Sequence, residues 1–389
     1  MKKVGIFWSV FFAVACFLVL HGQTDKAAWK GNVVIENGVK VVKNPGESLY
    51  GEFSFELQEE LTIGGDPKNE AYYFPKSARL SVDEGGNLYV CDGGNIRIQM
   101  YDKSGQYVRT IGRKGQGPGE YMFPIQVLFG PGGDLYVWAG REIIVYGSAG
   151  AYKTKSLLKT FLSPVMIGHD GTVLTISQPS IAPGGQKRSI VLLDANGSIL
   201  RTIAEFRGEL FEGQNVIVYH WYGSEIEFSP VTGESFCYGF SDEYKVYVAD
   251  IKGRTILIIT KDEKPQAISG KEKDATKKDG IWAAMGRAQK YEDYVVFPDH
   301  RPFFRSILND DAGRFYVVRL NSILEKDAPS SVDVFSKDGI YLYKMTWPFI
   351  PAVIRHGCLY EVRTAEETGE VRILRHRVKN WPLMATGRG

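Results

Sequence analysis

Residues 74–112 read FPKSARLSVDEGGNLYVCDGGNIRIQMYDKSGQYVRTIG, and this stretch decides the fold. Four short β-type runs, ARLSV, NLYVCD, RIQMYD and QYVRTIG, are separated by EGG, GGN and KSG, each a glycine turn of hairpin length. The unit is a four-stranded antiparallel meander of about forty residues, the size of one propeller blade.

The unit repeats. Its second strand recurs as GGNLYV (85–90), GGDLYV (132–137), DGTVLTI (170–176), TGESFCYG (232–239), AGRFYVV (312–318) and HGCLYEV (356–362). The third strand and its turn recur as IQMYDKSG, IIVYGSAG, IVLLDANG, VYVADIKG and VDVFSKDG, with a weaker VRILRHRV in the sixth unit. The two longest intervals hold insertions at 207–224 and 262–302, and KEKDATKKDGIWAAMGRAQKY within the second reads as a lysine-rich amphipathic helix. A two-sheet sandwich does not account for six repeats, so the expected fold is all-β, a six-bladed β-propeller with four-stranded antiparallel blades.

The sixth unit is one strand short, with runs near 350–355, 358–363 and 370–378. At the other end of the chain ELTIG (60–64) matches VRTIG (108–112), the fourth strand of the first blade. An N-terminal strand within 51–64 is therefore expected to close the last blade and cover its edge. The propeller then spans 51–381, with an N-terminal extension at 23–50 and a tail at 382–389.

The block VDEGGNLYVCDGGNIRIQMYDKSGQYVRTIGRKGQGPGEYMFPIQV (82–127) resembles the exported six-bladed β-propellers of bacteria, relatives of the NHL-repeat group. The shared elements are Asp-x-x-Gly-Asn-hydrophobic-Tyr-Val-x-Asp, Arg-Ile, Tyr-Asp-x-x-Gly and Gly-x-Gly-Pro-Gly-Glu; blades three to six depart from them. The resemblance implies a fold and an exported location, but it names no reaction, because fold does not fix function.

Export is also written at the N-terminus. MKKVGIFWSVFFAVACFLVLHG (1–22) places Lys2 and Lys3 before an apolar run, the layout of a signal peptide. The expected location is periplasmic or extracellular, or membrane-anchored if the segment is uncleaved or Cys16 carries lipid. Without residues 1–22 the chain has 45 basic and 45 acidic residues, so the basic excess of a nucleic-acid binder is missing. Cys91, Cys237 and Cys358 are widely spaced, which permits one disulfide at most and no cysteine-based metal cluster.

Candidate sites lie in the connections. IGRKGQGPGEY (111–121) joins blade one to blade two; Pro118 removes an amide and a strand follows, so it reads as a turn and not a phosphate cradle. Asp83, Asp92, Asp102 and Asp194 read as turn caps, His169 and His356 as turn residues, and His376 as part of an exposed charged edge. Neither Gly-x-Ser-x-Gly nor His-Glu-x-x-His occurs. VYHWYG (218–223) and FPDHRPFFRS (297–306) stand in the insertions, where a rigid scaffold presents its binding residues.

The ligand-binding candidates are thus Arg113, Glu120, Tyr121, His220, Trp221, Tyr222, His300, Arg301 and Arg305. The expected role is a monomeric, non-catalytic binding protein for a protein, peptide or glycan of the cell envelope. No cofactor is expected, calcium being the ion an axial channel would take. The alternative is a metal-dependent lyase or hydrolase with its site in that channel.

Overall fold

The computed structural model describes residues 28–386 apart from 159–162, 169–170, 178–179, 183–184, 195–196, 209–221, 232–233 and 279–296. Blade I consists of Ala78–Val82, Leu88–Asp92, Arg97–Tyr101 and Tyr107–Ile111, paired in sequence order. Five more sheets repeat that order from a short inner strand outward, beginning at Gln126–Phe129, Ser163–Ile167, Ile226–Pro230, Ser306–Asn309 and Val353–Arg355. The chain is a six-bladed propeller with mainly four-stranded antiparallel blades.

The blades pack because the second strands are mainly apolar on both faces. In Ser235–Phe240, Phe236 and Tyr238 join the core shared with blade III, while Cys237 between them joins the core shared with blade V. Leu88 and Val90 likewise face blade VI, and Tyr89 and Cys91 face blade II. Period-two alternation thus sends neighbouring side chains into different inter-blade cores, which is why these strands read as unbroken apolar runs.

The turns share one device. Asp83, Asp102, Asp194, Asp250 and Asp310 each accept, through one carboxylate oxygen, the backbone N–H four residues on, at 2.8–3.0 Å. In each turn a glycine three residues after the aspartate takes positive φ, from +76° to +85°. The pattern Asp-x-x-Gly is therefore a structural cap, as expected for Asp83, Asp102 and Asp194.

The last blade closes through the N-terminus. Leu57–Ile63 pairs antiparallel with Val371–Val378, from Leu57 opposite Val378 to Ile63 opposite Ile373, and Ile63 is fully buried. Two further N-terminal segments lie on other blades. Glu52–Phe53 runs parallel to the outer strand of blade V, Tyr341–Trp347. The hairpin of Asn32–Glu36 and Val39–Asn44, in the segment read as an extension, adds two strands to blade IV beside Thr255–Lys261. Residues 32–63 thus form a belt over three successive blades.

Asn44 fixes that belt. Its side chain donates to the carbonyls of Thr260 and Gly339 and accepts from the Tyr341 amide at 2.8 Å, joining blades IV and V. The lysine-rich insert is helical over Gly270–Lys278, and the side chains it buries are polar, Glu272 and Thr276.

One expectation is corrected here. His376 is not on an exposed edge: it is buried, its Nε2 lies 2.9 Å from Glu361, and its ring lies tilted against Phe349, with centroids 5.0 Å apart. The closing strand covers the edge that would have exposed it. His356 stands in its turn with φ +55° and Nδ1 3.4 Å from Asp311; His169 lies outside the described residues.

Candidate functional site on the insert-bearing face

Strands alternate in direction within each blade, so the blade-to-blade connections and the turns between second and third strands share one face of the disc. That face carries the 112–121 loop, the described ends of both insertions, and the turns at 241–244 and 319–329.

The glycine loop is filled by its own side chains. Arg113 and Lys114 pair with Glu120 and Tyr121 in a short parallel bridge. Tyr121 is fully buried; its hydroxyl donates to the Ile111 carbonyl at 2.6 Å and accepts from the Ile98 amide at 3.0 Å. Glu120 takes the Arg113 guanidinium at 2.7 Å and the Gly117 amide at 2.9 Å, while the Gly115 amide donates to the Tyr121 carbonyl. Those amides are consumed internally, so a phosphate has no cradle here. A Cβ on Gly112, at φ +64°, would stand 2.3 Å from the Tyr146 hydroxyl.

Tyr222 and Arg301 meet at Glu272. The buried Glu272 carboxylate accepts from Tyr222 Oη at 2.8 Å, Ser322 Oγ at 2.7 Å, and the amide and hydroxyl of Ser269 at 2.9 and 2.7 Å. Arg301 Nε lies 3.1 Å away. Burial pushes the carboxyl up, but the bonds from Ser322, Ser269 and Tyr222 hold it down at about 2. Tyr222, Ile268 and Ile323 make a small apolar cluster beside it. These residues fasten the insertions to blade V.

His300 lies next to this knot. Its Nδ1 is 3.0 Å from the Arg301 carbonyl, its Nε2 is 3.7 Å from Asp242, and its ring rests on Phe303. Arg305 is exposed, with its amide bonded to the Val318 carbonyl. His220 and Trp221 lie outside the described residues.

A cleft of about 480 Å³ opens between the N-terminal hairpin and blade IV, near the junction with blade V. Glu36, Lys43, Asp242, Glu243, Lys245 and Lys261 line it, and Tyr244 and Phe303 supply aromatic surface. Lys43 pairs with Glu36 at 2.7 Å across the hairpin. Both signs of charge therefore face the cleft.

Behind the cleft is a buried ionic network that joins blades IV and V. Asp333, on the third strand of blade V, receives the Tyr244 hydroxyl at 2.6 Å, the Tyr341 hydroxyl at 2.5 Å and Lys261 Nζ at 2.9 Å. Arg319 forms a two-pronged pair with Glu263 at 2.9 and 2.5 Å and lies 3.5 Å from Asp333. Burial would raise the Asp333 carboxyl, but Lys261 and Arg319 hold it below its ordinary value, and the two tyrosine hydroxyls add to that. Burial and the same carboxylate push both tyrosines up, so they stay protonated donors.

None of these network residues is evident from a local motif, because they come from two blades. The available signal was Asp333 itself, a buried charge between Val332 and Val334 in the strand Ser330–Phe335. Chemically the arrangement offers fixed charges and aromatic surface. Among the described residues, no group of three or more His, Cys, Asp or Glu side chains stands together to hold a metal ion.

With this geometry in hand, comparison with known proteins is informative about the ring alone. A family model described as a 6-bladed beta-propeller matches residues 78–172, blades I and II and the start of blade III. The cleft lies outside that match. A Bacteroides fragilis protein described as exported superposes with a TM-score of 0.53 at 12% identity, over 87% of this chain and 99% of the other. A Bacteroides vulgatus member of a family of uncharacterised proteins superposes with a TM-score of 0.52 at 13% identity, over 83% and 98% of the two chains. No curated protein matches. At such identities the likeness shows the fold and does not extend to a reaction.

Proposed function

We propose that this protein is an exported, non-catalytic binding propeller of the cell envelope, and that it takes a peptide or glycan in the cleft beside blades IV and V. The observation that carries this reading is the cleft itself: a concave site of about 480 Å³ with paired charges and two aromatic side chains, backed by a rigid inter-blade network. Pockets of this size with a few convergent polar groups are the usual ligand sites of rigid scaffolds. Export rests on the charged and apolar N-terminal segment, together with the description of the Bacteroides fragilis neighbour as exported.

The reading is tested with a panel of immobilised envelope-type peptides and amino-sugar or uronate oligosaccharides. Wild-type protein should bind at least one member, and Lys245→Glu or Glu243→Lys should weaken that binding tenfold or more while leaving the melting temperature unchanged. Equal binding by both variants, or cleavage of the bound ligand, overturns it.

A further inference from the structure

The outer edge of blade IV is open. Asn32–Glu36 is the last strand of its sheet, paired with Val39–Asn44 on one side and with no described strand on the other. Asn37 and Gly38 turn the hairpin with φ +50° and +81°, a two-residue loop too short to fold back over that edge. An edge of this kind presents free backbone N–H and C=O groups and acts as a template for a further strand.

The other outer strands carry charges that discourage such pairing. Arg109 stands in Tyr107–Ile111, Lys153 and Lys155 in Tyr152–Leu157, Arg201 in Ile199–Gly208 and Glu59 in Leu57–Ile63. The outer strand of blade V is covered by Glu52–Phe53. Asn32–Glu36 has neither protection. Its sequence is NVVIE, with Val33 46% and Ile35 69% exposed on one face of the sheet, and its single charge, Glu36, is paired with Lys43 of its own hairpin at 2.7 Å.

We propose that this edge is a self-association surface, on which a second copy of this chain pairs antiparallel with Asn32–Glu36 about a two-fold axis at Val34. The strand is complementary to itself in that register. With Val34 opposite Val34, Val33 meets the second copy's Ile35 and Ile35 meets its Val33, so each exposed side chain gains an apolar neighbour. Asn32 meets Glu36, an amide against a carboxylate, and the register carried outward sets Lys30 opposite Gly38. No like charges face each other. Directly opposed residues of an antiparallel pair share a face, so the two six-stranded sheets join into one with both clefts open on the same side. Under the cleft reading, such a pair grips a repetitive envelope polymer at two points. Five residues a side are far fewer than the ~20–30 of a standard interface, so the dimer is weak and depends on concentration.

The test is sedimentation equilibrium of the mature protein from about 10 µM to about 500 µM, the range in which a weak dimer populates. The mass should rise from one chain toward two, and Ile35→Lys should weaken association tenfold or more. Ile35 is exposed, so that variant should melt like wild type. Val34→Cys should give a disulfide-linked dimer with diamide, because directly opposed residues stand ~4.5–5.5 Å apart, within disulfide reach. Val33→Cys, set two residues away from its own copy, should not. Lys245→Glu in the cleft should leave the dimer intact and Ile35→Lys should leave ligand binding by the cleft intact, so the two readings fail separately. A mass that does not change with concentration, a dimer undiminished in Ile35→Lys, or equal cross-linking of the two cysteine variants overturns the proposal. So does protection of 32–36 by an envelope peptide in a protein that stays monomeric, which assigns the edge to that partner instead.

Discussion

Asp333 Oδ2 accepts the Tyr244 hydroxyl at 2.6 Å, so a carboxylate of blade V and a phenol of blade IV share a buried bond. Lys261 and Arg319 surround the same oxygen. Removing one member of such a network leaves the others buried and uncompensated, at a cost of about 3–5 kcal/mol. Asp333→Ala should lose about that much in urea unfolding, while Tyr244→Phe, which removes one hydroxyl, should lose about 1–2 kcal/mol. Equal and small losses would show that the network does not hold the junction.

Acid should weaken the fold in a defined window. Asp333, Glu272, Glu60 and Glu361 all have folded pKa values below their ordinary ones. Their stabilisation is complete above the unfolded carboxylate pKa near ~4 and is lost as pH falls through the lower folded values. Glu227, raised to about 8, acts with the opposite sign: the unfolded carboxyl ionises first, so it lowers stability progressively up to that pH. Melting curves should therefore fall below about pH 4, and Glu227→Gln should melt higher than wild type at pH 8 but not at pH 4.

Ring closure depends on Ile63 against Ile373 and their neighbours. Ile63 is fully buried in the core between blades VI and I. Ile63→Ala should cost about 2–5 kcal/mol, and deletion of 51–64 should lower the melting temperature of the whole domain. A truncated protein that melts like the intact one would refute closure by this strand.

Much of this was legible because the signals are local. Period-two strands, glycine turns and the missing fourth strand of the sixth unit each lie within a few residues, and together they mark the ring and its closing strand. The hairpin at 32–44 was not legible as part of blade IV, because its partner Thr255–Lys261 is more than two hundred residues away. The cleft escaped for the same reason: Lys43, Lys245 and Phe303 converge only through that pairing. Of the candidates, Tyr121 and Tyr222 are recognisable aromatics in loops, yet both prove to be buried ties, a distinction composition does not carry.

Two glycines separate steric from conformational demand. Gly112 has φ +64° and no room for a Cβ, whereas Gly38 has φ +81° and open space around it. Gly38→Ala should cost about 1–2 kcal/mol, the left-handed penalty alone. Gly112→Ala should cost visibly more in the same unfolding assay, because Tyr121 and Tyr146 must move.

The three described cysteines are free and buried, and burial raises each thiol; Cys91 reaches about 12 and Cys358 about 11. At pH 8 the native protein should therefore resist iodoacetamide, and all three should alkylate on unfolding, as read by intact mass. Rapid labelling in the native state would contradict their burial.

The most direct test of the binding account is hydrogen exchange on the mature protein with the first peptide or oligosaccharide that binds it, followed by mass analysis of the recovered ligand. The account predicts added protection at 32–44 and 241–247 and a ligand of unchanged mass. Protection confined to other blades, or a ligand recovered in pieces, would contradict it.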